Sequence, residues 1–274
     1  MSDEEKIVQS ATSFDDEAQK RIVNQAFELW INPEIERRAN AGLLQVPVEL
    51  YMAQVVWPDD KSISVRLNEE VKGVAWTRMG RPIEKGDPVL VSDLSGFAGF
   101  ELEDDELDFA HMTLMFNGHG WAVSFNFLRK RARAQALLEK ADQFLVAAKD
   151  AFGRNHSAVV VENLYGACEL SSKADLLTSM MVDDDTNHRA IHSAINQQGK
   201  LGNVDGAFVS LFNRLSRLRP FFRYASATSE DLPVSQDDLD LAHAFIDGTR
   251  SKVRRLQKDD LEGDPLVNVI RISQ

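Results

Sequence analysis

The chain has 274 residues, 43% hydrophobic and 27% charged, with a formal net charge of -12. It is long enough to bury one large or two ordinary cores, and its longest aliphatic run, Ala158–Val161, falls far short of the ~20 apolar residues that cross a bilayer, so a transmembrane helix is excluded. Cys168 is the only cysteine, which excludes an internal disulfide framework and a multi-cysteine zinc site; with the acidic, polar start MSDEEKIVQS it points to a cytoplasmic protein.

Residues 14–31 carry Ile22, Val23, Ala26, Phe27 and Trp30 at helical spacing, with Asp15 to Glu17 suited to a first turn. Pro33 ends this helix or starts a short second one. After Gly42 the period shortens. Val46–Trp57 and Ser62–Leu67 read as strands about the Asp59-Asp60 turn, and residues 85–91 read as a turn followed by a strand. Two apolar runs, 109–116 and 121–128, flank Asn117-Gly118-His119-Gly120 and predict a hairpin. Residues 1–128 therefore form an α+β domain with an antiparallel sheet of about five to seven strands.

At Arg129 the period lengthens again, with no linker between. Residues 129–153 place Leu137, Ala141, Phe144, Leu145, Ala148 and Phe152 on one stripe, with Gly153 as the stop. Residues 157–178 follow as a helix. Further helices are predicted over 187–200, over 204–218, where Pro220 sets the limit, and over 236–257. The last has Asp237 and Asp238 in its first turn and Arg254 and Arg255 in its last, which suits the helix dipole. Residues 129–258 are thus a four- or five-helix bundle. The tail, 259–274, is acidic and ends in LVNVIRI, a candidate extra strand for the first domain.

The stretch HSAVVVENLYGACELSSKADLL, 156–177, sets Gly166 at the centre of a helix at a cost of about 1 kcal/mol relative to Ala. Close packing against the preceding helix would offset that cost. Tyr165 beside it offers an apolar body and a polar tip. Together with LFNRLSRLRPFFRYA, 211–225, and LDLAHAFIDGTRSKV, 239–253, this order of features resembles the HEPN superfamily of helical bundles, over about half of the chain. The resemblance implies a bundle that pairs with itself as a homodimer, in bacterial toxin–antitoxin, antiviral or RNA-processing systems. It also implies a metal-independent ribonuclease site, an Arg followed four to six residues later by a His and sometimes by a Tyr two positions on. None of the six His residues has an Arg at that spacing. Arg217 and Tyr224 hold the mutual distance, but Phe222 occupies the place of the imidazole and cannot serve as general acid or base. The expectation is therefore a bundle that binds RNA or a nucleotide without cleaving it.

The charge distribution agrees with that division. Residues 1–128 hold 11 Lys and Arg against 23 Asp and Glu, whereas 129–258 hold 19 against 16. Arg214, Arg217, Arg219 and Arg223 beside Phe221, Phe222 and Tyr224 mix guanidinium groups with aromatic rings, as phosphate contact and base stacking require. Arg214, Arg217, Arg219, Arg223 and Tyr224 are the candidate ligand-binding residues; no catalytic residue and no cofactor are assigned. His188 and His192, at i and i+4 beside Asp183 to Asp185, are the weakest candidates, for a metal. The other reading is an adaptor whose acidic first domain docks a basic protein partner. Exposure of the Arg-Tyr segment would favour binding. The basic runs 129–133 and 250–258 read as solvated faces, and Cys168 as a small core residue.

Overall fold

The structure, a computed structural model, describes residues 16–59, 62–84, 87–88, 93–224, 233–254 and 267–272. The predicted turn and strand at 85–91 lie mostly outside them. The fold is α+β. By contacts the chain divides into one unit of 1–126 with 256–274 and a second of 127–255.

The first unit opens with helix α1, Asp16–Ala26, which passes through a π-helical turn, Phe27–Ile31, into α2, Asn32–Asn40. Pro33 therefore does not end the helix but lies at the start of α2, directly after the π-helical turn, where the bonding pattern changes register. Seven strands follow among the described residues: β1 Met52–Trp57, β2 Ser64–Leu67, β3 Gly73–Met79, β4 Leu94–Glu101, β5 Ala110–Phe116, β6 Trp121–Asn126 and β7 Val267–Ile272. They form two antiparallel sheets, in the orders β2-β1-β5-β6 and β4-β3-β7. The described part of the tail, Val267–Ile272, is the strand β7, paired along β3 from Gly73 opposite Ile272 to Arg78 opposite Val267.

Two sheets form because the central strands of the larger one, β1 and β5, are buried on both faces. Ala53, Val55, Met112 and Leu114 pack under Val23, Ala26 and Ile31 of the helical segment. Their neighbours Met52, Val56 and Met115 pack against Val71, Ala75, Phe100 and Leu102 of the smaller-sheet side. Alternate residues point to opposite faces, so each face needs its own cover. Gly73 makes a close approach: φ is 145°, and a Cβ there would sit 2.4 Å from the Glu101 carbonyl oxygen. Buried Gln54 donates to Thr113 Oγ1 at 3.0 Å and to the Lys72 carbonyl at 3.2 Å, and accepts from Arg66, which also holds Glu106.

Among its described residues the second unit holds five helices: α3 Arg131–Gly153, α4 Ser157–Thr178, α5 His188–Lys200, α6 Gly206–Tyr224 and α7 Gln236–Val253. α3 and α4 form a hairpin in which Asn155, with φ of 57°, takes the left-handed position that the sequence suggested for Gly153. Gly166 packs as expected: an added Cβ would lie 2.9 Å from the Phe144 ring. That contact leaves Phe144 partly exposed, whereas Leu137, Ala141, Leu145 and Ala148 of the same stripe are buried. Cys168 is fully buried, and desolvation raises its thiol pKa.

Three expectations for this unit are corrected. Pro220 lies inside α6, which runs on to Tyr224. α7 ends at Val253, with Arg250 and Lys252 in its last turn; Arg254 is its extended C-cap residue and Arg255 lies outside the described residues. Within the basic run 129–133, Arg131 is not solvated but buried. Its Nε donates to the Val253 carbonyl at 2.9 Å and its Nη2 to the Arg254 carbonyl, so it closes the C-terminal end of α7 onto the start of α3.

Candidate functional site

Three helices of the second unit bring together side chains far apart in sequence. α4 supplies Glu162, Tyr165 and Glu169, which share one face at i, i+3 and i+7. α5 supplies His188 and His192 at i, i+4, started by Asn187, whose side chain accepts from the Ala190 N–H at 3.0 Å. α6 supplies Asn213, Arg219 and Arg223.

Tyr165 is the hub. Its hydroxyl donates to Glu169 at 2.9 Å and lies 3.3 Å from His192 Nε2. A hydroxyl has one proton; once it is given to Glu169, the contact with His192 requires the Nε2–H tautomer. Glu169 also meets His188 Nδ1. The Arg219 guanidinium sits 4.5 Å from the centre of the Tyr165 ring, a cation–π contact. On the inner side, the His192 ring stacks on Phe212 at 3.8 Å. Asn196 and Asn213 exchange two hydrogen bonds, at 2.7 and 3.1 Å, and lock α5 to α6. Burial raises the Tyr165 pKa, reinforced by Glu169.

Burial also lowers the pKa of His192, against smaller opposing effects of Asn213 and Glu169, while His188 pushes the same way as burial. Between the folded value and the ordinary one of about 6.5, the unfolded chain binds a proton that the folded chain does not. Stability should therefore fall as pH drops from about 6.5 through the folded value, because ∂ΔG/∂pH is positive where the unfolded state holds more protons. Urea unfolding compared at about pH 7 and about pH 5, above and below the ordinary imidazole value, checks this. His192→Gln should flatten the slope; an unchanged slope would assign it elsewhere.

The five candidate ligand-binding residues separate into three places. Arg214 pairs with Asp238 and donates to the Pro233 carbonyl at 3.3 Å. Arg219 and Arg223 both hold Glu162, Arg219 with Nε at 2.9 and 3.0 Å from its two oxygens and Nη2 at 2.7 Å. Hydrogen bonding to Arg219 is the main cause that lowers the Glu162 pKa. Arg217 and Tyr224 lie exposed on the outer face of α6 with Phe221. Phe222 packs against the bundle core. His188 and His192 are engaged by Glu169 and Tyr165, and among the described residues no three His, Cys, Asp or Glu side chains form a group that would hold a metal ion.

Sequence reasoning missed the α4 carboxylates, Glu162 and Glu169. Their signal was present: with Tyr165 they repeat at helical spacing on one face of the helix. A cleft of about 240 Å³ between the start of α6 and α7, lined by Phe208, Leu241, Phe245 and Thr249 among others, contains none of the cluster. No family model matches the chain, and no curated protein matches it.

Proposed function

We propose that the chain is a HEPN-like cytoplasmic protein that binds single-stranded RNA or a nucleotide through the outer face of α6 and does not cleave it. It would work as a homodimer within a bacterial defence or toxin–antitoxin-like system. One observation carries the binding claim. Arg217, Phe221 and Tyr224, at i, i+4 and i+7, share an outer helix face, with Phe221 53% and Tyr224 78% exposed. Arg217 has no hydrogen bond or ion pair among the described residues. Two water-facing rings beside a free guanidinium suit base stacking and a phosphate contact. The absence of cleavage rests on Phe222, which stands where the resemblance would require an imidazole.

The test is fluorescence anisotropy with a short oligouridine. Phe221→Ala with Tyr224→Ala should weaken binding by about 10-fold or more, since each stacked base is worth roughly 1–3 kcal/mol. Arg217→Ala should reduce the salt slope by about 1. Metal-free protein should leave the RNA intact. Equal binding by wild type and both variants would refute this site.

A second reading, the adaptor, is favoured by Leu43 and Val46, which are exposed in the acidic first unit and offer an apolar contact within a negative field. Undetectable binding of oligouridine would make it the better account.

A further inference from the structure

Arg219 and Arg223 are four residues apart on α6 and converge on one carboxylate. Glu162 Oε1 accepts from both guanidiniums, and Oε2 from Arg219 alone. Two positive charges thus share one directly bonded carboxylate, with Glu169 acting on Arg219 only as a weaker, unbonded charge, in a planar fork that matches carboxylate and phosphate oxygens equally well. The Arg219 end is prepared for this role from below. Tyr165 supports its guanidinium through the ring face, and Tyr165 is itself held by Glu169 and His192. None of the three partners is sealed off: the side chains of Glu162, Arg219 and Arg223 are 36%, 29% and 43% exposed. An outside anion can therefore reach the guanidiniums as Glu162 rotates away.

We propose that Arg219 and Arg223 form a cradle for a terminal phosphate and that Glu162 is its built-in competitor. A phosphodiester brings one negative charge, no more than Glu162 does. A phosphate monoester brings nearly two, with three acceptor oxygens, and balances the pair of guanidiniums. Glu162 therefore sets a threshold: it repels single charges and yields to a terminal phosphate, on a nucleotide or on an RNA end. This inference rests on the RNA or nucleotide reading for the source of the phosphate. It does not rest on the outer face of α6, where Arg217, Phe221 and Tyr224 sit.

Pyrophosphate tests the cradle without any RNA. By calorimetry, Glu162→Gln should bind pyrophosphate about 3- to 10-fold more tightly than wild type, the range expected when one partly exposed ion pair is released. Glu162→Ala should do the same, which guards against an effect peculiar to the amide. Adding Arg219→Ala and Arg223→Ala to Glu162→Gln should abolish the gain. Oligouridine with a 5′-phosphate should then bind Glu162→Gln more tightly than the 5′-hydroxyl form, and inorganic phosphate should compete for that difference. No gain in pyrophosphate affinity on removing Glu162 would overturn the cradle, whatever the RNA does. A pyrophosphate gain with no RNA binding would support the cradle and refute the outer-face reading. Equal affinity of Glu162→Gln for the two RNA ends would overturn the proposal for RNA ends and leave free nucleotides as the phosphate source.

Discussion

Phe212→Ala is expected to lower the stability of the helical unit by about 3–5 kcal/mol, the range for deleting a fully buried phenyl ring. Phe212 is completely buried on α6. Its ring stacks on His192 at 3.8 Å, lies 5.5 Å from Tyr165 and 6.4 Å from Phe208, and so joins the apolar core to the polar cluster. The loss would be large because a cavity would open beneath His192, whose position depends on that stack. Phe221→Ala, on the same helix but 53% exposed, should change stability by no more than about 0.5 kcal/mol. Denaturant unfolding followed by far-ultraviolet ellipticity compares the two. Similar losses for both would mean that α6 does not present the face described.

That comparison also shows what the sequence could and could not disclose. The stripe of α3 was legible, Phe144 apart, because apolar residues at helical spacing have one place to go, and Gly166 because a glycine inside a helix needs a close neighbour. The hairpin of β5 and β6 was legible in the Asn-Gly turn. Proline was less decisive: Pro33 and Pro220 both lie within helical segments, the first directly after a π-helical turn. The division into two sheets was not legible. β1 carries apolar residues on both faces, with Gln54 among them on one, which suggests that both are covered but not by what.

The candidate site was legible only in part. Seven residues separate Arg217 from Tyr224, nearly two full turns, so their shared face follows from the period alone. The same arithmetic puts Arg219 and Arg223 on another face, and reading the five residues as one set ignored it. Glu162, Tyr165 and Glu169 could be placed on a common face, yet nothing in the sequence tells that α5 and α6 deliver His192 and Arg219 to that face. Such meetings are set by the packing of whole helices.

Arg131 gives the second large effect. A basic run reads as a solvated face because a buried guanidinium is costly unless its N–H groups find acceptors. Here they do. The last carbonyls of a helix lack intrahelical partners, and Arg131 reaches those of Val253 and Arg254 at the end of α7. Its positive charge also meets the negative end of the helix dipole. Arg131→Met keeps the aliphatic stem but removes the donors, and leaves two carbonyls to find water or remain unpaired. Hydrogen bonds to charged groups contribute about 1.5–3 kcal/mol each, so a net loss of roughly 2–4 kcal/mol is expected. Arg131→Lys should recover part of it, since one ammonium retains the charge but not the planar fork. Hydrogen exchange should quicken first in the last turn of α7, around Arg250 to Val253, before the rest of the unit. A Met variant within about 0.5 kcal/mol of wild type, the usual spread for surface positions, would show that the contact between α3 and α7 stands without this side chain.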